Sequence, residues 1–228
     1  MDKLRSSIFT KVARMMTVAV REGGGDVNVN FSLRLAIDKA KAANMPKDNI
    51  ERAIKRGTGE LKEGETIEEG LYEGFGPGGA AFLVETLSDN KNRTVSEIKN
   101  IFIKHGGSMG SAGSVKWMFA RQGVMRLAGI SNFQFSISKS DFELQLIDTG
   151  ASDIKENEFG LEIFCPVEKF QKVLEVIKKY NLEPESSGLE WVAKEPVSLA
   201  EEVSAKVSAL YDALEELDDV REVYTNEK

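Results

Sequence analysis

Few residues in this chain could carry covalent chemistry. It has one cysteine, Cys165, and one histidine, His105. A single thiol excludes an intrachain disulfide and a cysteine-rich zinc site, and one imidazole removes most metal and triad arrangements. Cys165 precedes Pro166 at an expected strand end, where a buried thiol is the default. His105 falls in an expected last helical turn, where a cation suits the helix dipole. The carboxylates come mostly in runs, Glu68-Glu69, Glu215-Glu216 and Asp218-Asp219, and such runs read as solvated surface. No nucleophile, base and oxyanion set can be assembled. The expectation is a non-enzymatic protein with no metal and no cofactor.

Two glycine-rich segments could instead offer backbone to a partner. Gly74-Phe75-Gly76-Pro77-Gly78-Gly79 lacks the Gly-Lys-Ser/Thr and following helix of a P-loop. It also precedes a strand, the reverse of a dinucleotide fingerprint. The plain reading is a tight turn with positive φ angles; the functional one is a backbone surface that approaches a partner. Residues 106–114, GGSMGSAGS, form a long loop of small residues, either a connector or a segment that orders on a partner. In Asp89 to Thr94, Lys91 and Arg93 could reach phosphate beside a polar turn capped by Thr94.

The third chemistry is charge. The chain is net −7, yet residues 1–60 hold 12 Lys+Arg against 7 Asp+Glu, and the remaining 168 hold 18 against 30. A basic head on an acidic body suits an oriented polyanion binder, or a normal solvated helical surface. Lys11, Arg14 and Arg21 share one helical face. With Arg34, Lys39, Lys47, Arg52, Lys55 and Arg56 they form the candidate phosphate-contacting set.

Three helices must position those cations. Ile8, Val12, Met15, Met16 and Ala19 make one apolar face, and Gly23-Gly24-Gly25-Asp26 stops the first helix. A second covers about 32–43, with Leu33, Ala36, Ile37 and Ala40 inward. Pro46 opens a third, with Ile50, Ala53 and Ile54 inward, and Gly57 ends it. Residues 58–71 read as an acidic linker with a short strand at its end. Beyond it come a strand at 80–87, a helix capped by Thr94 and Glu97 and stopped near Gly106, and paired strands at 114–120 and 123–127. A second series follows: a strand at 132–137, a helix capped by Ser140 and Glu143 and ending at Gly150, and a hairpin turning at Glu156-Asn157. Then come a helix from Pro166 to about Tyr180 and a strand at 189–193. Ser198 and Glu201 cap a last helix, and 220–225 is the final strand.

The expected class is therefore α+β: an N-terminal three-helix bundle plus two ferredoxin-like α/β domains, one inserted in the other. The boundaries are 1–71 for the bundle and linker, 72–128 with 197–228 for the middle domain, and 129–196 for the insertion. No apolar stretch is long enough for a transmembrane helix, and the first residues lack a signal-peptide pattern. A cytoplasmic location and a monomer are the simplest expectations.

Taken together these residues resemble the YebC family of bacterial regulators, which includes mitochondrial translational activators of cytochrome oxidase. The resemblance runs over nearly the whole chain. It is carried by Ile8-Phe9-Thr10-Lys11, Gly23 to Asp26, Leu35 to Ala40, Asn44 to Gly59 and Tyr72 to Gly79. Asp89 to Thr94, Lys104-His105-Gly106-Gly107, Gly150 to Asp153 and Leu217 to Tyr224 continue it. The family pattern begins with a short basic segment containing Ser-Lys-Trp ahead of the position of Ile8, where this chain reads MDKLRSS. The resemblance implies a helical domain and two α/β domains, and one of two roles. One is DNA-binding transcriptional regulation. The other is assistance of translation on the ribosome at difficult sequences such as proline runs. The two glycine loops, suited to a crowded RNA site, put the ribosomal role ahead, with promoter DNA as the alternative. Contacts would come from the basic head and from Gly74, Gly76, Pro77, Gly78, Gly79, Lys91, Arg93, His105, Gly106 and Gly107.

Overall fold

The computed structural model describes residues 2–61, 67–128 and 138–228. The expected strand at 132–137 lies outside the described residues. The described chain divides into two compact units, Met1–Phe119 with Ala193–Lys228, and Ala120–Val192.

The first unit opens with α1 (Asp2–Gly23), α2 (Phe31–Ala42) and α3 (Lys47–Gly57). Val12, Met16, Ala19, Leu33, Ala36, Ile37, Ala40 and Ala53 fill the bundle core, as their spacing predicts, together with Val20 and Met45, while Met15, Ile50 and Ile54 are only partly buried against it. Ile8, expected inward, is exposed. Two polar side chains fix the crossings. Asn30 caps α2 by accepting from the Leu33 N–H, and its amide donates to the carbonyls of Ala19 and Gly24 at 2.6 and 2.7 Å. One residue thus ties the end of α1 to the start of α2. The buried Thr17 hydroxyl lies 2.9 Å from the Ala13 carbonyl and 3.3 Å from that of Ala53, at the point where α3 crosses α1.

The same unit contains β1 (Glu68–Phe75), β2 (Ala81–Ser88), α4 (Lys91–Lys104) and β3 (Ser108–Met109). Its remaining elements, α7 (Glu201–Glu215) and β8 (Val220–Thr225), come from the chain's last residues. The sheet order is β3-β1-β2-β8, with antiparallel pairing throughout. Phe82 and Val84 of β2 join Ile98 and Phe102 of α4 and Val207, Leu210 and Leu214 of α7 in one core.

The second unit contains most of β4 (Phe119–Ala128), then α5 (Lys139–Thr149), β5 (Asp153–Asn157), β6 (Gly160–Cys165), α6 (Phe170–Lys179) and β7 (Ser186–Ala193). Its order, β5-β6-β4-β7, is that of a split β-α-β. Arg126 of β4 sits opposite Glu162 of β6 and bonds it at 2.7 Å. Its guanidinium also takes both oxygens of Glu190 on β7 at 2.7 and 2.9 Å.

Several expectations are corrected. Residues 114–120 and 123–127 are not paired strands: Lys116–Met118 is a short 3-10 turn, and 119–128 is one continuous strand of the second sheet. The insertion accordingly begins at Ala120 rather than 129. The first sheet takes its missing strand from 68–75, half of which falls in the expected acidic linker. The helix caps also shift. Asn90 caps α4 and Ser138 caps α5, while α7 begins after Ala200 with no side-chain cap. Thr94, expected as a cap, is fully buried inside α4.

The β5–β6 turn falls at Glu158-Phe159, where Asn157 Oδ1 accepts from the N–H groups of Phe159 and Gly160. Gly160 follows at φ +143°, and a β-carbon there would sit on the Leu127 carbonyl oxygen. Gly160→Ala is therefore expected to cost about 2 kcal/mol or more through strained φ and broken β4–β6 pairing. Faster amide exchange along 123–128, with a lower urea midpoint, is the check.

Candidate nucleic-acid interface

The nine basic residues expected as phosphate contacts do not form one stripe. Lys11 is turned inward: its ammonium donates to the Glu215 carbonyl. Burial lowers its pKa, opposed by the carboxylates of Glu215, Asp218 and Glu222. Arg14 is only 16% exposed. It pairs with Asp219 at 2.6 Å and donates to the Asp218 carbonyl at 2.9 Å. Both are corrections: these two cations join α1 to the α7–β8 corner and are not presented to a ligand. Arg34 donates to the carbonyls of Val27 and Asn28 at 2.6 and 2.7 Å and holds the α1–α2 turn. Arg21 is exposed, 3.5 Å from the Ile67 carbonyl. Lys39 lies 3.4 Å from Glu222 and Lys47 3.6 Å from Glu51, both largely exposed. Arg52 and Lys55 are exposed and Arg56 is half-buried.

Asp219 is the centre that the sequence did not disclose. Expected on a solvated acidic run, it is 3% exposed. It accepts from Arg14, from Arg93 at 2.7 and 2.9 Å, from Ser88 Oγ at 2.9 Å and from Thr94 Oγ1 at 2.7 Å. Burial alone would raise its pKa; the bonds from Arg93, Thr94 and Ser88 and the charge of Arg14 outweigh it and hold the carboxyl below its usual range. Arg93, expected at a phosphate edge, is thereby committed to Asp219 and to Asp89 at 2.8 Å, and its pKa is raised. Lys91 is engaged by Glu68.

The glycine runs are explained by packing. Gly74 and Gly76 are buried, and a β-carbon would come within 2.6 Å of the Phe102 ring at Gly74 and of the Phe82 ring at Gly76. Gly78, next to Pro77, has φ +68° and lies against Val203 of α7, while Gly79 faces open space. His105 ends α4, its N–H bonded to the Ile101 carbonyl. Gly106 turns the chain at φ +75°, and Gly107 backs onto the Phe75 carbonyl. The 106–114 loop is anchored rather than loose. Ser108–Met109 pairs with β1, and the carboxylate of Glu73 accepts from the N–H groups of Gly113, Val115 and Lys116 at 2.6, 2.7 and 2.8 Å. Glu73 is 4% exposed. Burial raises its pKa, and the three N–H bonds overcome that to leave it lowered. Glu73 was hidden from sequence reasoning because it is a single acid amid glycines.

What the fold does assemble is a cleft of about 840 Å³ within the first unit. Ser6, Phe9, Thr10, Ala13 and Arg14 of α1 form one wall. Asn49, Arg52, Ala53 and Arg56 of α3 form another, at the helical spacing that places them on one face. Met45, Ile67 and Asp89 complete it. Arg14 and Asp89 are in ion pairs, whereas Arg52 has no partner among the described residues. Also among them, no three metal-ligating side chains come together, and no helix is long and apolar enough to cross a membrane.

A helical bundle joined to two split β-α-β units, with a basic cleft beside the first helix, defines the class. The comparisons then fix the family. Residues 1–60 match the TACO1/YebC protein N-terminal domain and residues 67–227 the TACO1/YebC second and third domain; the chain belongs to that family. A protein of Fusobacterium nucleatum, named a probable transcriptional regulatory protein, is 45% identical over 99% of this chain and 88% of its own length. One of the same name from Thermoanaerobacter pseudethanolicus is 45% identical over 99% and 90%. The crystal structure of a conserved hypothetical protein from Aquifex aeolicus superposes with a TM-score of 0.86 at 40% identity, covering 98% of this chain and 90% of that one.

Proposed function

We propose that this protein is a cytoplasmic regulator of gene expression that acts by binding nucleic acid and catalyses no reaction, with promoter DNA as the target, a reading in keeping with relatives named probable transcriptional regulatory proteins. The observation that carries it is the α3 surface. Lys47, Arg52 and Lys55 are exposed on one short helix, free of the inward commitments that occupy Lys11 and Arg14. Phosphate contacts of this kind position a protein without reading sequence. The carboxylate that lines the adjoining cleft, Asp89, is held by Arg93, an arrangement suited to structure rather than to acid-base work.

The test is binding of labelled DNA and RNA as a function of salt. Reversing Lys47 and Lys55 to glutamate is expected to weaken affinity at least tenfold at low salt. It should also flatten the dependence of log affinity on log salt by about one unit for each phosphate no longer engaged. Unchanged affinity and slope would remove α3 from the interface.

A second reading, action on the ribosome, is favoured by one feature. The cleft is a recess between α1 and α3, which suits the splayed-out, unpaired nucleotides of folded RNA better than the groove of a duplex. Cosedimentation with large ribosomal subunits supports this reading; recovery only in the unbound fraction returns the case to DNA.

A further inference from the structure

We infer that the α1–α3 cleft receives an unpaired nucleotide of a single-stranded segment, its phosphate on Arg52 and its base over Phe9 and Met45. This inference rests on the nucleic-acid reading above, and by giving the cleft a single strand it sides with the RNA arm of that reading rather than with duplex promoter DNA.

The cleft combines three chemistries that a nucleotide requires together. Its apolar lining includes Phe9, half-buried against the bundle core, and Met45, a core residue whose 6% exposed surface reaches the cleft. An aromatic ring and a polarisable thioether suit the face of a base, whatever its identity. Arg52 supplies an uncommitted guanidinium at the rim, able to take a phosphate through two parallel N–H bonds. Asn49, one turn before it on the same face of α3, brings both a donor and an acceptor to the space between. A bare anion site would have no use for the apolar floor, and a purely apolar ligand none for Arg52. The volume lies in the upper part of the range for small-ligand sites, about 300–1,000 Å³.

The shape argues against a duplex. This is a recess between two helices, not a protruding element that could enter a groove. In a duplex the base faces are stacked on one another and reach such a floor only if a nucleotide is extruded, which costs a few kcal/mol. A single strand presents its base faces already exposed.

The test uses the full chain and a ten-nucleotide oligomer carrying one 5-iodouracil, as a single strand and as a blunt duplex. The single strand is expected to bind more tightly. Arg52→Ala should weaken it about tenfold, as expected for removing one charge-assisted phosphate bond, and weaken the duplex by a distinctly smaller factor. Arg52→Lys should restore part of the loss. Irradiation should link the oligomer to the peptide containing Phe9 or the one containing Met45. Equal loss for both strand states, or cross-links mapping elsewhere, overturns the cleft assignment while leaving the nucleic-acid reading intact. Failure of both strand states to bind the unaltered protein overturns that reading and this one with it. Full displacement of the strand by a millimolar nucleoside monophosphate assigns the cleft to a free nucleotide and overturns the single-strand occupant.

Discussion

Replacing Asp219 with alanine is expected to lower the unfolding free energy by about 3 kcal/mol, the lower end of the range for removing one partner of a buried ion pair. The loss falls mainly on Arg14, 16% exposed, which loses its counter-charge and keeps only backbone carbonyls, and on the buried Ser88 hydroxyl, which loses its acceptor, while Thr94 can still turn to the Asn90 carbonyl. Arg93 is 43% exposed, so water compensates its share. Asp219→Asn keeps the shape and should fall between the two. Urea denaturation is the measurement, and a change under about 0.5 kcal/mol for the alanine variant, the size of an ordinary surface substitution, would sink the account. The pH dependence follows from the sign of the shift. The folded-state pKa is lowered, so the stabilisation is complete above the unfolded carboxyl value near about 4 and is lost as pH falls through the folded one. The alanine variant should lack this part of the acid transition.

The second large effect is expected at Glu73. Glu73→Gln preserves volume but places an amide NH₂ where a carboxylate oxygen now accepts, against N–H groups of Gly113, Val115 and Lys116. Unmet buried donors cost about 1–3 kcal/mol, more where a charged acceptor is lost, so a decrease of about 3 kcal/mol is expected. Hydrogen exchange locates it: the amides of 113–116 should exchange faster while those of α1–α3 hold their protection. Uniform acceleration across the first unit would show instead that Glu73 supports the whole sheet. Its lowered pKa gives the same acid-side sign as Asp219: stability held above pH about 4 and lost below.

The helices were legible in the sequence because their signals are local. Leu33, Ala36, Ile37 and Ala40 declare an inward face at 3.6-residue spacing, and Gly150 marks the end of α5 with φ +121°. The final strand, Val220 to Thr225, was equally plain. The capping-box pattern misled because serine and threonine recur within a few residues of each start. The hydroxyl at Thr94 serves Asp219, while Asn90 does the capping. Strand allegiance was not legible. Arg121 and Gln122 interrupt the apolar run and suggest a turn, yet β4 continues through them into the second sheet. The candidate site fared least well for the same reason. Whether an arginine faces solvent or an acid depends on a residue 205 positions away, as with Arg14 and Asp219, and no local pattern carries that information. Arg52 and Lys55 kept their expected exposure, with no ion pair drawing either inward among the described residues.

That long separation has a consequence for the order in which the molecule comes into being. During synthesis α1 emerges well ahead of its partner, since the carboxylate that receives Arg14 follows 205 residues later. The inserted unit, closed by pairings within 120–192, can organise while the surrounding sheet still waits for β8. Until then β2, almost wholly buried in the finished protein, has one edge unpaired, a site for mispairing in a nascent chain. The sheet that the first helices lean on is thus completed only after the inserted unit has been made, and long-range closure should set the pace of folding.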